Sequence, residues 1–171
     1  MATVVFHEHP AQGGACLRGA FRAYMDRIPL EGVPSLDAVW TAIVHRPFVA
    51  DDGGPGAETR DLGDLRCQPT QRSRVWPDSF NCWEATAHFA RAAEHFLPEG
   101  WRVHVWDRDL TLPSGRTLRH CWPSLQSPRS DHFLIDLESV IPRAYGSVLP
   151  QHGYHGVLCG PANGEWWQDL L

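Results

Sequence analysis

Residues 81–100 read NCWEATAHFARAAEHFLPEG. Ala85, Phe89, Ala92, Ala93 and Phe96 recur at helical spacing, and alanine both favours the helix and lets neighbouring elements approach closely. Ser79 or Asn81 can accept a hydrogen bond from the first turn, which starts a helix over residues 82–97. Pro98-Glu99-Gly100 ends it. Beyond it, residues 101–106 alternate, with Trp101, Val103 and Val105 on one side and Arg102, His104 and Trp106 on the other, the pattern of a strand. Leu112-Pro113-Ser114-Gly115-Arg116 reads as a turn, residues 117–122 as a second strand, Ser127-Pro128-Arg129 as a turn, and residues 133–137 as a third strand. One helix followed by three closely connected strands predicts an α+β fold in which the helix packs on a small antiparallel sheet.

Upstream, residues 3–6 form a short apolar run, a candidate strand closed by His7-Glu8-His9-Pro10. Over residues 15–28, Leu17, Ala20, Phe21, Tyr24, Met25 and Ile28 follow three- and four-residue steps, which predicts an amphipathic helix limited by Pro29. Ser35 is a suitable N-cap for a second short helix with Leu36, Val39, Trp40 and Ile43 on one side, closed by Pro47. Residues 51–70 open with Asp51-Asp52-Gly53-Gly54-Pro55-Gly56 and lack periodicity, so they read as a long surface excursion. The tail from Pro142 is rich in Gly and Pro and reads as a surface wrap. The 171 residues suit one domain, with 1–70 an N-terminal helical extension and long loop, 71–140 the core and 141–171 the wrap.

Hydrophobic residues make up 43% of the chain, enough for a packed core rather than a disordered segment. The formal net charge of −5 argues against a dedicated nucleic-acid binder, although Arg72, Arg74, Arg116 and Arg119 supply local positive charge. All 15 residues of the Lys+Arg count are arginine. GC-rich codon usage accounts for this simply, but such a chain also offers no lysine amine to an acylated enzyme. The five cysteines, Cys16, Cys67, Cys82, Cys121 and Cys159, are odd in number, irregularly spaced and without a CxxC pair, which fits neither a disulfide framework nor a common structural zinc site. With no signal-like start and no membrane-spanning apolar run, the chain reads as a reduced, cytoplasmic protein.

The chemistry-bearing residues cluster in the core. A thiol at the first turn of a helix, where Cys82 falls, meets the positive end of the helix dipole and unsatisfied amides, and both favour the nucleophilic thiolate. The competing reading of Cys82 alone is a buried structural thiol. What favours chemistry is its company. His120 lies on one predicted strand and Asp136 on the next, where an imidazole can act as base and a carboxylate can fix its tautomer. A carboxylate between Ile135 and Leu137 is costly to bury without a partner. His132, four positions before Asp136, is the alternative base. For the oxyanion, the backbone amide of Cys82 is one donor, and Trp76 or Gln71 is a candidate second. Trp76 is held extended by Pro77, and simple packing competes as its role. His7 and His9, with His104 or His155, lack acidic or cysteine partners at ligand spacing, so neither metal nor cofactor is expected. The eight tryptophans are core, a substrate groove or a protein-binding surface.

Asn81-Cys82-Trp83-Glu84 opening an alanine-rich helix, then His120-Cys121-Trp122, then Phe133-Leu134-Ile135-Asp136, resembles the transglutaminase-like superfamily over residues 76–140. The resemblance implies Cys82 as nucleophile, His120 as base and Asp136 as orienting acid, on a papain/transglutaminase-like fold. The chain departs from the family at Asn81, where a Gly commonly stands, and at Leu137-Glu138, where Pro or Thr commonly follows the Asp. The expected activity is that of a cysteine-dependent amide hydrolase or acyl transferase (peptidase, amidase or transglutaminase type) acting through a thioester on a protein or peptide substrate, with no nucleic-acid or membrane partner. One alternative is a catalytically silent domain of this type serving as an interaction or structural module, as in phage and mobile-element proteins. Another is a papain-like enzyme outside the transglutaminase group. Oligomeric state is left open.

Overall fold

The helix that follows Asn81 is closed at its start by two reciprocal bonds. Glu84 N–H donates to the Asn81 side-chain oxygen at 2.7 Å, and Asn81 N–H donates to Glu84 Oε1 at 3.3 Å. This capping box satisfies donors that a helix start leaves without partners. The computed structural model describes residues 1–10, 15–45, 80–137, 148 and 153–159. In chain order the elements are β1 (Thr3–His7), α1 (Ala15–Arg27), α2 (Leu36–Val44), α3 (Cys82–Phe96), β2 (Arg102–Thr111), β3 (Thr117–Gln126), β4 (His132–Asp136) and β5 (Gly156–Cys159). The alternative cap Ser79, the excursion over 51–70 and most of the tail lie outside the described residues. Ser35 caps α2 as its sequence suggests, accepting from Ala38 N–H at 3.2 Å.

Helix α3 is buried almost all round, from Trp83 through Ala93 apart from Arg91. On one side α1 and α2 lie against it. Phe21 and Tyr24 of α1 each meet Trp83 edge-on at 5.0 Å between ring centroids, and Trp40 of α2 meets Phe89 at 5.9 Å. On the other side lies the sheet, which contributes Val103, Val105, Cys121, Leu125 and Ile135 to the same core. The N-terminal helices therefore share their apolar core with the helix that bears Cys82.

The five strands run in the order β1-β2-β3-β4-β5. The sheet is mixed, which corrects the antiparallel expectation. The β2–β3 and β3–β4 pairs are antiparallel, whereas β1–β2 and β4–β5 are parallel. Connection length explains the difference. Strands joined by tight turns must reverse, while β1 reaches β2 only after all three helices, a crossover long enough to return it parallel. Strand β5 likewise joins β4 after a long connection, which corrects the surface-wrap expectation for residues 156–159.

Strands β2 and β3 also run longer than the alternation suggests, through Thr111 and Gln126. Arg119 bridges to Asp107 across this extension, with Nε–Oδ1 at 2.9 Å and Nη2–Oδ2 at 2.6 Å. Such a bidentate pair lets a buried carboxylate sit in a strand. Between β3 and β4 the described ladder covers Ser124–Gln126 and stops at Pro123, which has no N–H to give.

Even-numbered residues of β2, β3 and β4 face away from α3. Trp106, Leu110, Trp122 and Leu134 form a second core there with Val148, and Tyr154 packs against it. Both faces of the sheet are therefore covered. Truncating Phe89 to Ala should cost ~3–5 kcal/mol, and Asn81→Ala should cost ~1 kcal/mol. Urea unfolding of the two variants should preserve that order. A larger loss at Asn81 would mean that this residue does more than cap the helix.

Candidate functional site

Cys82 is the first residue of α3 and is partly exposed as a thiol. One residue fixes its main chain against the sheet. The Thr86 hydroxyl contacts the carbonyl of Cys82 at 2.7 Å and that of Cys121 at 3.2 Å, tying the first turn of α3 to β3. At this junction lies a cleft lined by Cys82, Ala85 and Thr86 from the helix and by His120, Cys121, Trp122, Pro123 and Leu137 from the sheet side. The space it leaves for a water-sized group is about 10 Å³. A single water needs ~10–15 Å³ on that measure, so the cleft is a narrow crevice with room for about one water-sized group. It opens where β3 runs past the end of the described β4 ladder.

His120 is 4% exposed and stands opposite Arg108 of β2. Its ring stacks on Trp122 at 6.0 Å and 18°, on the face of β3 turned away from α3. The row continues from Trp122 to Trp106 at 6.4 Å and from Trp106 to His7 at 3.6 Å. The indoles are oriented by their N–H groups, Trp122 donating to Tyr154 Oη at 3.2 Å and Trp106 to Ser124 Oγ at 2.8 Å. Burial pushes the Tyr154 phenol well above its ordinary pKa and keeps its proton in place.

Asp136 ends β4, is 1% exposed and pairs in register with Cys159 of β5. Strand alternation puts it on the same sheet face as His120, and its neighbour Leu137 lines the cleft. Cys82 and His120 thus share a cleft, and Asp136 shares a sheet face with His120. His132 belongs to a different neighbourhood. Its Nε2 is 2.6 Å from Ser124 Oγ, and its ring lies 4.8 Å from His104 and 4.6 Å from Tyr154. It does not line the cleft. Trp76 and Gln71 lie outside the described residues. Thr86 and Cys121 escaped the sequence reading. Their signals were present all the same: Thr86 is one helical turn after Cys82, and Cys121 adjoins His120.

The remaining histidines are dispersed. His9 pairs with Asp109 at 3.0 Å, and His155 Nδ1 accepts from His132 N–H at 2.7 Å. His7 Nε2 and His104 Nδ1 are 2.7 Å apart, while His104 Nε2 reaches Gln126 Oε1 at 3.1 Å. Since that oxygen only accepts, His104 carries its proton on Nε2, and Nδ1 accepts from His7. Among the described residues no group of three or more His, Cys, Asp or Glu is disposed to hold a metal ion. No helix among them is long and apolar enough to cross a membrane.

Burial lowers the His104 pKa from its ordinary 6.5, the nearby Arg102 charge adds to the effect, and the Gln126 bond opposes it. A second proton on His104 would also confront the His7 N–H, while Trp106 and His132 close the remaining sides. The folded state thus binds this proton less readily than the unfolded state. Stability should fall as pH drops below about 6.5. His104→Gln should flatten that slope in thermal melts between pH 7.5 and 5.5, and an unchanged slope would exclude His104 as its source.

Comparison with protein-family models, with curated proteins and with solved structures finds no match to this chain.

Proposed function

We propose that this protein is a cysteine-dependent amide hydrolase or acyl transferase, built on a papain/transglutaminase-like arrangement and acting on protein or peptide substrates in the cytoplasm. The observation that carries the reading is that Cys82, at a helix start and partly exposed, lines one cleft with His120. In this mechanism the Cys82 thiolate attacks an amide carbonyl. His120 delivers a proton to the departing amine, leaving a thioester on Cys82. Water or a second amine, deprotonated by His120, then attacks the thioester and releases the thiolate. Asp136 holds the imidazole tautomer. Among the described residues the cleft's lining carries no Asp, Glu, Lys or Arg, which suits a neutral carbonyl-bearing group. The Cys82 amide is the first oxyanion donor, with Trp76 or Gln71 as the second.

The test is the iodoacetamide alkylation rate of each cysteine against pH, followed by peptide mass spectrometry. Cys82 should react fastest and at lower pH than an ordinary thiol. His120→Ala should remove that advantage and His132→Ala should keep it. On an amide substrate found by screening glutamine peptides with and without an amine, His120→Ala should lower kcat by about 10²–10⁴-fold. A Cys82 no more reactive than the other cysteines of the folded protein would sink the enzyme reading and leave the binding-module alternative.

A further inference from the structure

We propose that Cys82 and Cys121 form a peroxide-reactive dithiol site that closes to an intramolecular disulfide across the cleft. The proposal takes from the enzyme reading only the identity of the reactive thiol, and needs neither His120 nor Asp136. Both cysteines are thiols in the structure, and both line the same cleft. They differ in access. Cys82 is partly exposed, within reach of a small oxidant, whereas Cys121 is 1% exposed. Cys121 belongs to the core between α3 and the sheet, and Cys82 packs against that same core. Thr86 holds the two main chains together by contacting both cysteine carbonyls. A disulfide asks for about 4.4–6.8 Å between Cα atoms. The other helix residues at the cleft, Ala85 and Thr86, are small, which favours a close approach of helix and strand there.

The chemistry divides the roles in the way this difference in access suggests. The Cys82 thiolate, favoured by the helix start, attacks one oxygen of a hydroperoxide. The O–O bond breaks, an S–O bond forms, and the departing oxygen leaves as water (or as an alcohol from an alkyl hydroperoxide) after taking a proton. Cys82 is now a sulfenic acid. The Cys121 sulfur then attacks the Cys82 sulfur. The S–O bond breaks, the S–S bond forms, and hydroxide leaves with the Cys121 proton as water. Two thiols are oxidised by two electrons in total, and one peroxide is reduced. Burial keeps Cys121 from competing for the oxidant while leaving it in the lining of the same cleft. A thiol reductant reverses the linkage by exchange.

The experiment is to treat the full chain with stoichiometric hydrogen peroxide, block remaining thiols with iodoacetamide, and map the peptides by mass spectrometry without reduction. The expected product is a Cys82–Cys121 linked peptide that disappears after dithiothreitol, with both thiols lost together. In Cys121→Ser, Cys82 should instead be trapped as a sulfenic acid by a cyclic dione. Cys82→Ser should leave Cys121 reduced. Linkage of Cys82 to Cys16, Cys67 or Cys159, or accumulation of Cys82 sulfenic acid in the unaltered protein, would overturn the proposal. The mapping on unaltered protein needs no variant to fold. The linkage should also persist in His120→Ala, whereas loss of the alkylation advantage in that variant reports on the acyl-transfer reading alone.

Discussion

Close packing of α3 between the sheet and the two N-terminal helices is the constraint on which the rest depends. A helix buried on nearly every side must have small side chains wherever a neighbour's backbone comes close, and Ala85, Ala87, Ala90, Ala92 and Ala93 meet that need. Its buried polar groups must also be satisfied inside the protein. Glu84 is held in the capping box, Thr86 by two carbonyls, and His88 by the Tyr24 hydroxyl at 3.2 Å. Burial pushes the Tyr24 phenol above its ordinary pKa, so its proton stays available to that bond. The Thr86 contact also ties the first turn to β3. The position of Cys82 is therefore a consequence of core packing.

The helices were legible because their signals are local. Asn81 and Ser35 announce caps, and alanine and aromatic spacing marks the buried faces. The sheet was legible only where strands are joined by short turns. Nothing local tells Thr3–His7 that its partner will be β2, and Gly156–Cys159 is too short to show an alternation. The extension of β2 through Asp107, Arg108 and Asp109 has a different cause. Three charged residues in a row argue against a strand until the register is known. Asp107 then meets Arg119, Asp109 meets His9, and the Arg108 guanidinium reaches the carbonyls of His7 and Glu8. These are long-range pairings, and their stabilising effect is invisible in the order of residues.

The candidate site divides along the same line. The order Cys82, His120, Asp136 is sequence information, and so is the helix start under the thiol. Cys82 and His120 share a cleft beside the end of the described β3–β4 ladder, which stops at Pro123. A proline inside a strand reads as a weak point in that strand. In the folded sheet it marks the end of the described β3–β4 ladder, beside the cleft at the helix start. The pairing of Cys121 with the cleft was hidden for a related reason. Its neighbour His120 faces the other side of the sheet, and only strand alternation turns Cys121 toward α3.

Magnitudes separate the rigid parts of this site from the adjustable one. The Arg119–Asp107 pair is bidentate and its carboxylate is 1% exposed. Breaking such a pair costs ~3–5 kcal/mol, so the β2–β3 hairpin beside the cleft is fixed. Stacking of His120 on Trp122 is a weaker hold, because an aromatic pair contributes ~0.5–1.5 kcal/mol beyond its area. The stack biases the ring toward the face turned away from α3. In the proposed triad the thiol is set by helix packing and the carboxylate by the end of β4. The imidazole must then come past the end of the described β4 ladder to reach Cys82 from that face. Acyl transfer and thiol oxidation would then draw on one cleft while depending on different neighbours of the same sulfur.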